Sequence, residues 1–600
     1  MLSLLILIVV LAIYGVAYYF YGKRLLEQKV VKADPNRLTP AVEKFDGIDY
    51  VPANKYVLYG HHFASIAGSG PIVGPATAMV YGWAMPLVWV LFGNVFIGAV
   101  HDYLSIMASV RHGGLSIMTV SENVMGRKAR YIAVIYVWMA LVLVLAAFFS
   151  VAASTFVAVP QTGLIMFLYM PIALFFGMLV YKYGVNIKLA TVISLVFVVI
   201  AFWLSFYIPV YLTYEAWVLV LAGYSFIAAA LPVWYLLQPR DYMNAYLLWS
   251  FVAFALIGTL LVAGLPFTGP SYTDFAQPAS ILGAMGDLGR MRVAYFWPVI
   301  PLIIACGALS GFHSLVGSGT TSKQLSNELD ATLVGYGGML TEGAISSLAV
   351  ITPIAFAWDF AQLGAVVNYP VVDMLSKIGI KVPTIVGLAA ADRFYTGYAL
   401  LQAAGWSRVF GLGSFEATFI GFRVFAATAL TAFIITTLDT ANRLARFAWQ
   451  ELFGWVKVSP GAKKVLTNRW VASLVGVIIG VAMAYPQIYI PELNRYLPAY
   501  SVIWPAFSGT NQLLAALMLM TASLWVYAVL KVRGGVTLLT LIPALFLWVT
   551  VTLALFVWIF YVMPSLPSLY IALAGSFIVI AQILNFLLLI FFIQGIKKSK

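Results

Sequence analysis

His61 and His62 stand side by side at the start of an apolar run that continues through Ser65, Gly68, Ser69, Gly70, Pro71, Gly74 and Pro75. Imidazole beside a carboxylate can hold or pass a proton near neutral pH. Glycines and prolines within hydrocarbon free main-chain polar atoms, which must then line protein or water instead of lipid. The pattern predicts a helix that breaks near residue 68, as discontinuous helices do in secondary transporters. The start of its second half would present unpaired N–H groups, which favour anions. Ser69, Gly70 and Gly74 are therefore the candidate contacts for a substrate carboxylate.

A second apolar run turns back on the first near Gly82 and Trp83, so residues whose numbers sum to about 165 share a depth. His62 then lies level with Asp102, and Asn94 level with Pro71, where it could assist. An intramembrane Asp faces a partner or a watery path. A His62–Asp102 pair, or one with His61 or His101 replacing a partner, is either a proton relay or a buried bond fixing the hairpin. A metal ion on His61, His62 and His101 is a further alternative. Glu342 is a second proton-carrier candidate or a structural group. His313 can hydrogen-bond substrate or serve packing. Asp439 and Arg443, with Arg446, can latch a cytoplasmic gate or anchor a helix end in solvent.

These groups are carried by a chain of 600 residues, 63% hydrophobic and 9% charged, with a mean hydropathy of +0.96. Such composition requires a bilayer. The net charge of +13 comes from Lys and Arg clustered between apolar runs, an orientation signal and not a nucleic-acid face. Cys306 is the sole cysteine, so no intrachain disulfide forms. No nucleotide-binding or catalytic motif occurs in its required context. The expectation is a non-enzyme without cofactors, driven by an ion gradient or by downhill flow.

Apolar length places spans near 1–21, 61–82, 84–110, 131–154, 162–182, 187–209, 215–237, 244–264, 294–320, 333–357, 417–438, 470–486, 499–530, 536–562 and 568–596, about fifteen in all. Lys23 and Arg24 follow the first run, which makes it a retained span and not a signal peptide. The basic loops share one side if 384–403 is an external surface or re-entrant helix, which puts the N-terminus outside and the C-terminus in the cytoplasm. Two long external connections, about 265–293 and 358–416, are candidate lids or passive caps.

Several stretches together carry a family resemblance: Tyr59-Gly60-His61-His62-Phe63 through Pro75, Gln238-Pro239-Arg240-Asp241-Tyr242, Cys306-Gly307-Ala308-Leu309-Ser310-Gly311-Phe312-His313, Ser318-Gly319-Thr320-Thr321, Gly335-Tyr336-Gly337-Gly338-Met339-Leu340, Thr436-Thr437-Leu438-Asp439-Thr440 with Arg443, and Asn511-Gln512-Leu513-Leu514-Ala515-Ala516-Leu517. The sequence resembles the carbon starvation protein A (CstA) family of peptide and pyruvate carriers. The resemblance implies an all-α inner-membrane transporter of the amino acid-polyamine-organocation superfamily, with a LeuT-like five-plus-five inverted repeat. Taking 61–82 as the first core helix makes 215–237 the sixth and 417–438 the tenth, with repeats of about 61–209 and 215–438. The sixth should also break, at Gly223 with Ala230-Leu231-Pro232, or else carry a proline kink in an otherwise continuous helix. The chain then divides into an N-terminal anchor and loop (1–54), a transport core (55–440) and C-terminal helices (441–600).

In the superfamily geometry, Ser318, Thr320 and Thr321 pack beside freed carbonyls around Ser65–Gly68. This implies a sodium-like cation site, or else small hydroxyls that only permit close helix approach. The implied function is import of peptides, pyruvate or both during carbon starvation by alternating access, with H+ or Na+ as coupling ion. A nutrient sensor and a membrane metal or redox protein using His61, His62 and His101 are the alternatives. The expected partners are a small-molecule substrate and the lipid bilayer, with no nucleic acid and with the oligomeric state left open.

Overall fold

The computed structural model describes residues 2–47, 50–231, 237–273, 296–351, 355–490 and 495–599. Among these, ten helices are long and apolar enough to cross a membrane, or up to twelve if each of two bent pairs is one span. The helices used below are α1 (Leu4–Val31), α2 (Lys55–Ile66), α3 (Gly70–Ala78), α4 (Ala84–Arg111), α5 (Ile117–Met125), α6 (Arg127–Ala158), α7 (Gln161–Val180), α8 (Ile187–Ser205), α9 (Tyr214–Ala230) and α10 (Leu237–Leu261). Beyond residue 296 come α11 (Gly311–Gly319), α12 (Thr332–Gly337 continued by Gly338–Ala349), α13 (Ala390–Phe410), α14 (Phe415–Trp455), α15 (Arg469–Ala484), α16 (Tyr500–Ala528), α17 (Gly535–Val562) and α18 (Ser568–Lys598).

The predicted break is present. Asn54 starts α2 by accepting the Tyr56 N–H at 2.9 Å, and the helix stops at Ile66. α3 begins at Gly70 with Pro71 in its first turn, where a missing N–H costs nothing. The two halves meet at 47°. Gly82, at φ +83°, then turns the chain into α4.

A second interruption lies opposite, where the sequence gives a continuous span 294–320. After short turns at Phe296–Val299 and Ile300–Leu302, residues 303–310 are not helical, and α11 starts only at Gly311. The two breaks touch. A Cβ on Gly70 would lie 2.3 Å from Cys306 Sγ, and one on Gly74 3.0 Å from the Ile303 carbonyl oxygen. These glycines exist for close backbone approach.

The helix expected to be the sixth is different. α9 runs through Gly223 without a break and stops at Ala230, with Leu231 extended, while Pro232 lies outside the described residues. It packs on α6, α14 and α15, away from residue 68. The packing partners instead repeat between 55–261 and 296–528. α6 carries α5 and α9 as α14 carries α13 and α15; α12 packs on α3 as α4 packs on α11; α10 packs on α2 as α16 packs on the turn before the second break. The boundary between halves therefore falls after α10, and the core continues through α16, past residue 440. α7 and α8, packed on each other, form an inserted hairpin with no counterpart in the second half. That hairpin displaced the count of five spans.

The segment expected as a surface or re-entrant helix is α13, which is buried over most of its length and packs on α3, α10 and α14. Its Arg393 donates to the carbonyls of Ala76 (3.1 Å), Leu388 (2.8 Å) and Val386 (2.6 Å), so it caps the end of α3. α16 is continuous through the polar residues Ser508–Gln512.

The contact at Gly70 is testable. Gly70→Ala should destabilise the detergent-solubilised protein by about 1–3 kcal/mol, the usual cost of overpacking, read as a lowered thermal midpoint. Gly60→Ala, with nothing within 4 Å of its Cβ, should not lower it.

Candidate functional site

At the level of the two breaks, three helices bring together side chains that are 0% exposed: His101 and Asp102 from α4, His313 from the first turn of α11, and Glu342 from α12. Asp102 lies between two rings. Its Oδ1 is 2.8 Å from His101 Nδ1, and its Oδ2 is 3.0 Å from His313 Nδ1. A carboxylate only accepts, so ionised Asp102 fixes the proton of each neutral ring on Nδ1 and leaves Nε2 with its lone pair. His313 Nε2 lies 3.4 Å from Glu342 Oε2, within ion-pair range. Neither Glu342 oxygen has a hydrogen-bond partner among the described residues.

The expected His62–Asp102 pair does not form. The Nδ1 of His62 instead bonds Thr321 Oγ1 at 2.8 Å. His101 takes one of the places at Asp102, as the alternative pairing had it. His61 accepts the Ser65 hydroxyl on its carbonyl at 2.8 Å, and its Nε2 has no partner among the described residues. Asn94 does not reach Pro71. It donates to the carbonyls of Gly307 (3.1 Å) and Met339 (2.8 Å), while the Pro71 carbonyl takes the Ser346 hydroxyl at 2.9 Å. Ser69 Oγ at the break is buried and has no partner among the described residues.

The hydroxyls expected to hold a cation are engaged otherwise. Ser318 donates to the Ser314 carbonyl (2.6 Å) and accepts the Ile117 N–H (3.0 Å), and Thr320 donates to the Val316 carbonyl (3.0 Å). The hydroxyl that faces Gly68 is Thr437 of α14, 3.0 Å from where a Cβ would stand. The difference follows from the corrected order of helices, since α11 belongs to the sixth core position and α14 to the eighth.

Asp439 and Arg443 are buried, not solvated, and the bonds described for them go to different partners. Asp439 binds the guanidinium of Arg240, which also donates to Asp241 Oδ1 at 2.7 Å and to the Tyr224 hydroxyl at 2.5 Å. Arg443 donates to the carbonyls of Ala228 (3.0 Å) and Leu231 (2.7 Å), closing the end of α9. Both residues thus tie α14 to the first half.

Sequence reasoning about chemistry passed over Arg240, Asp241, Cys306, Thr437, Asn511 and Gln512. Arg240 and Asp241 carried a signal, being adjacent charges at the edge of an apolar run. Asn511 accepts the Phe312 N–H at 3.0 Å and so caps α11, a role no local pattern announces.

A family model described as Carbon starvation protein CstA matches residues 2–554. The chain belongs to the carbon starvation protein CstA family. It is 31% identical to a Bacillus subtilis (strain 168) protein named Peptide transporter CstA, over 98% of this chain and 95% of the relative. It is 32% identical to the Escherichia coli (strain K12) protein of that name, over 88% and 78%. The Pyruvate/proton symporter BtsT of Escherichia coli (strain K12) is 29% identical over 95% of this chain and 83% of its own length. Among solved structures, the Eremococcus coleocola manganese transporter in complex with an aromatic bis-isothiourea substituted compound covers 93% of this chain and 99% of its own, with a TM-score of 0.50 and 14% identity. That likeness is one of fold. This CstA-family chain is a multi-pass membrane transporter with a LeuT-type core, and not an enzyme.

The Arg240 cluster in this CstA core makes a prediction. Asp439→Asn, which strips a buried cation of one partner, should cost about 3–5 kcal/mol. The triple variant Arg240→Met with Asp241→Leu and Asp439→Leu, which removes both carboxylates with the cation, should recover most of that loss. Thermal unfolding of the purified protein measures both.

Proposed function

We propose that this transporter imports a small carboxylate, pyruvate or a short peptide, by alternating access, with an inward proton or sodium gradient as the driving force. The observation that carries the reading is the contact of two interrupted helices at Gly70 and Cys306, one from each half, beside buried ionisable side chains. Interrupted helices that cross in mid-membrane free main-chain groups for a substrate and can tilt about their breaks. The names of the relatives, peptide transporter and pyruvate/proton symporter, supply the two substrate classes.

The carboxylate docks at the start of α3, where the Ser69 hydroxyl lies buried without a partner among the described residues and the helix end favours an anion. Gly70 and Gly74 contribute space and main-chain atoms, while their Cα faces are covered by Cys306 and Ile303. The amide donor of Asn94 is spent on Gly307 and Met339, so Asn94 supports the opposite break and does not bind substrate. The clustering of Lys and Arg supports an N-terminus outside and a C-terminus in the cytoplasm.

Counterflow in proteoliposomes with pyruvate, dipeptides and tripeptides, repeated under imposed pH and Na+ gradients, tests the reading. Saturable uptake that rises with one inward gradient is the expected result; binding without flux would make the protein a sensor and overturn it. Ser69→Ala should raise the half-saturation concentration about tenfold, because a hydrogen bond to a charged group contributes about 1.5–3 kcal/mol.

A further inference from the structure

Glu342 presents two buried carboxylate oxygens with no hydrogen-bond partner among the described residues, and His313 presents Nε2 in the same condition. The two groups face each other, His313 Nε2 and Glu342 Oε2 being 3.4 Å apart, a separation at which one ion can take both as ligands. The third group at this place is Cys306, whose sulfur receives a long contact of 4.0 Å from Asn511 Nδ2. One ligand atom each from Cys306, His313 and Glu342 lie within 4.8 Å of one another.

We propose that Cys306, His313 and Glu342 form a binding site for a divalent transition-metal ion of the zinc class. One sulfur, one imidazole nitrogen and one carboxylate oxygen suit a borderline-soft ion, and three protein ligands leave a fourth position open. The surroundings orient the set. Asp102 accepts from His313 Nδ1 at 3.0 Å, which turns the lone pair of Nε2 toward Glu342, the carboxylate–histidine arrangement that supports metal-bound imidazoles. Cys306 sits on a non-helical stretch whose neighbouring carbonyls are pinned from α16, Trp504 Nε1 to Ile303 at 2.9 Å and Gln512 to Ile304. The ligand positions are thus held by three separate elements: the 303–310 stretch, α11 and α12.

An ion there ties those elements together, and the thiol proton leaves as it binds. Resting on the alternating-access reading, a second consequence is that the bound ion locks the crossing and stops transport.

The test begins with binding, which does not depend on flux. Full-length protein with any affinity tag removed is titrated with Co2+ in detergent. A thiolate-to-cobalt absorption band should saturate at equimolar metal. Because Cys306 is the sole cysteine, the band must vanish in Cys306→Ser. Glu342→Gln and His313→Gln should each weaken Co2+, and Asp102→Asn should weaken it about 10–100-fold through the loss of ring orientation. Zn2+ should displace Co2+ and raise the thermal midpoint of the unmodified protein, a readout that needs no variant. No band, or a band unaffected by both Glu342→Gln and His313→Gln, overturns the site. In proteoliposomes, micromolar Zn2+ should abolish uptake by the unmodified protein, and a chelator added afterwards should restore it. Binding without inhibition overturns the lock alone, and absence of flux under every gradient counts against the transport reading instead.

Discussion

Within hydrocarbon, every peptide group that leaves a helix must find another partner inside the protein, and this chain leaves its helices twice at the same place. The carbonyls of the second break are held by side chains: Ser508 donates to Pro301 at 2.6 Å, Trp504 to Ile303, Gln512 to Ile304, and Asn94 to Gly307. Three of these four donors come from α16. The first break is served from the other half, by Ser346 on the Pro71 carbonyl. Each of these bonds contributes a modest net amount, while a lost one leaves a buried group unpaired at a cost of about 1–3 kcal/mol. The polar residues of α16 are therefore conditions for the second break to exist.

That dependence explains what could be read from the sequence. The break near residue 68 was legible because its cause is local, in Gly68, Gly70, Pro71 and Pro75, and the turn at Gly82 was equally plain. The second break was not legible. Ile303 through Leu309 contains no proline and reads as spanning helix, and its irregular path is imposed by side chains some 200 residues further on, at 504–512. The inserted hairpin of α7 and α8 added two crossings. An even number preserves the direction of every later helix, so loop charge gave no warning that the repeat had been divided in the wrong place.

Among the site residues, the direction in which the helices face their side chains could not be read from the sequence. Counting along the hairpin put His62 level with Asp102, but a helix presents its residues around a full circle, and His62 turns to Thr321 while Asp102 meets His313. Glu342 and His313 were each singled out as isolated polar residues. Their meeting with Cys306 depends on the corrected helix order. The Arg240–Asp439 pair likewise joins α10 of the first half to α14 of the second, a tie across the pseudo-repeat visible only once both halves are folded.

Arg393 bonds at once to the last carbonyls of α3 and to its own approach strand at Val386 and Leu388. The guanidinium makes one mechanical body of α3 and the start of α13. A tilt of the half-helix that borders the break is thereby coupled, through one side chain, to the start of α13 and the Ile385–Gly387 turn that leads into it.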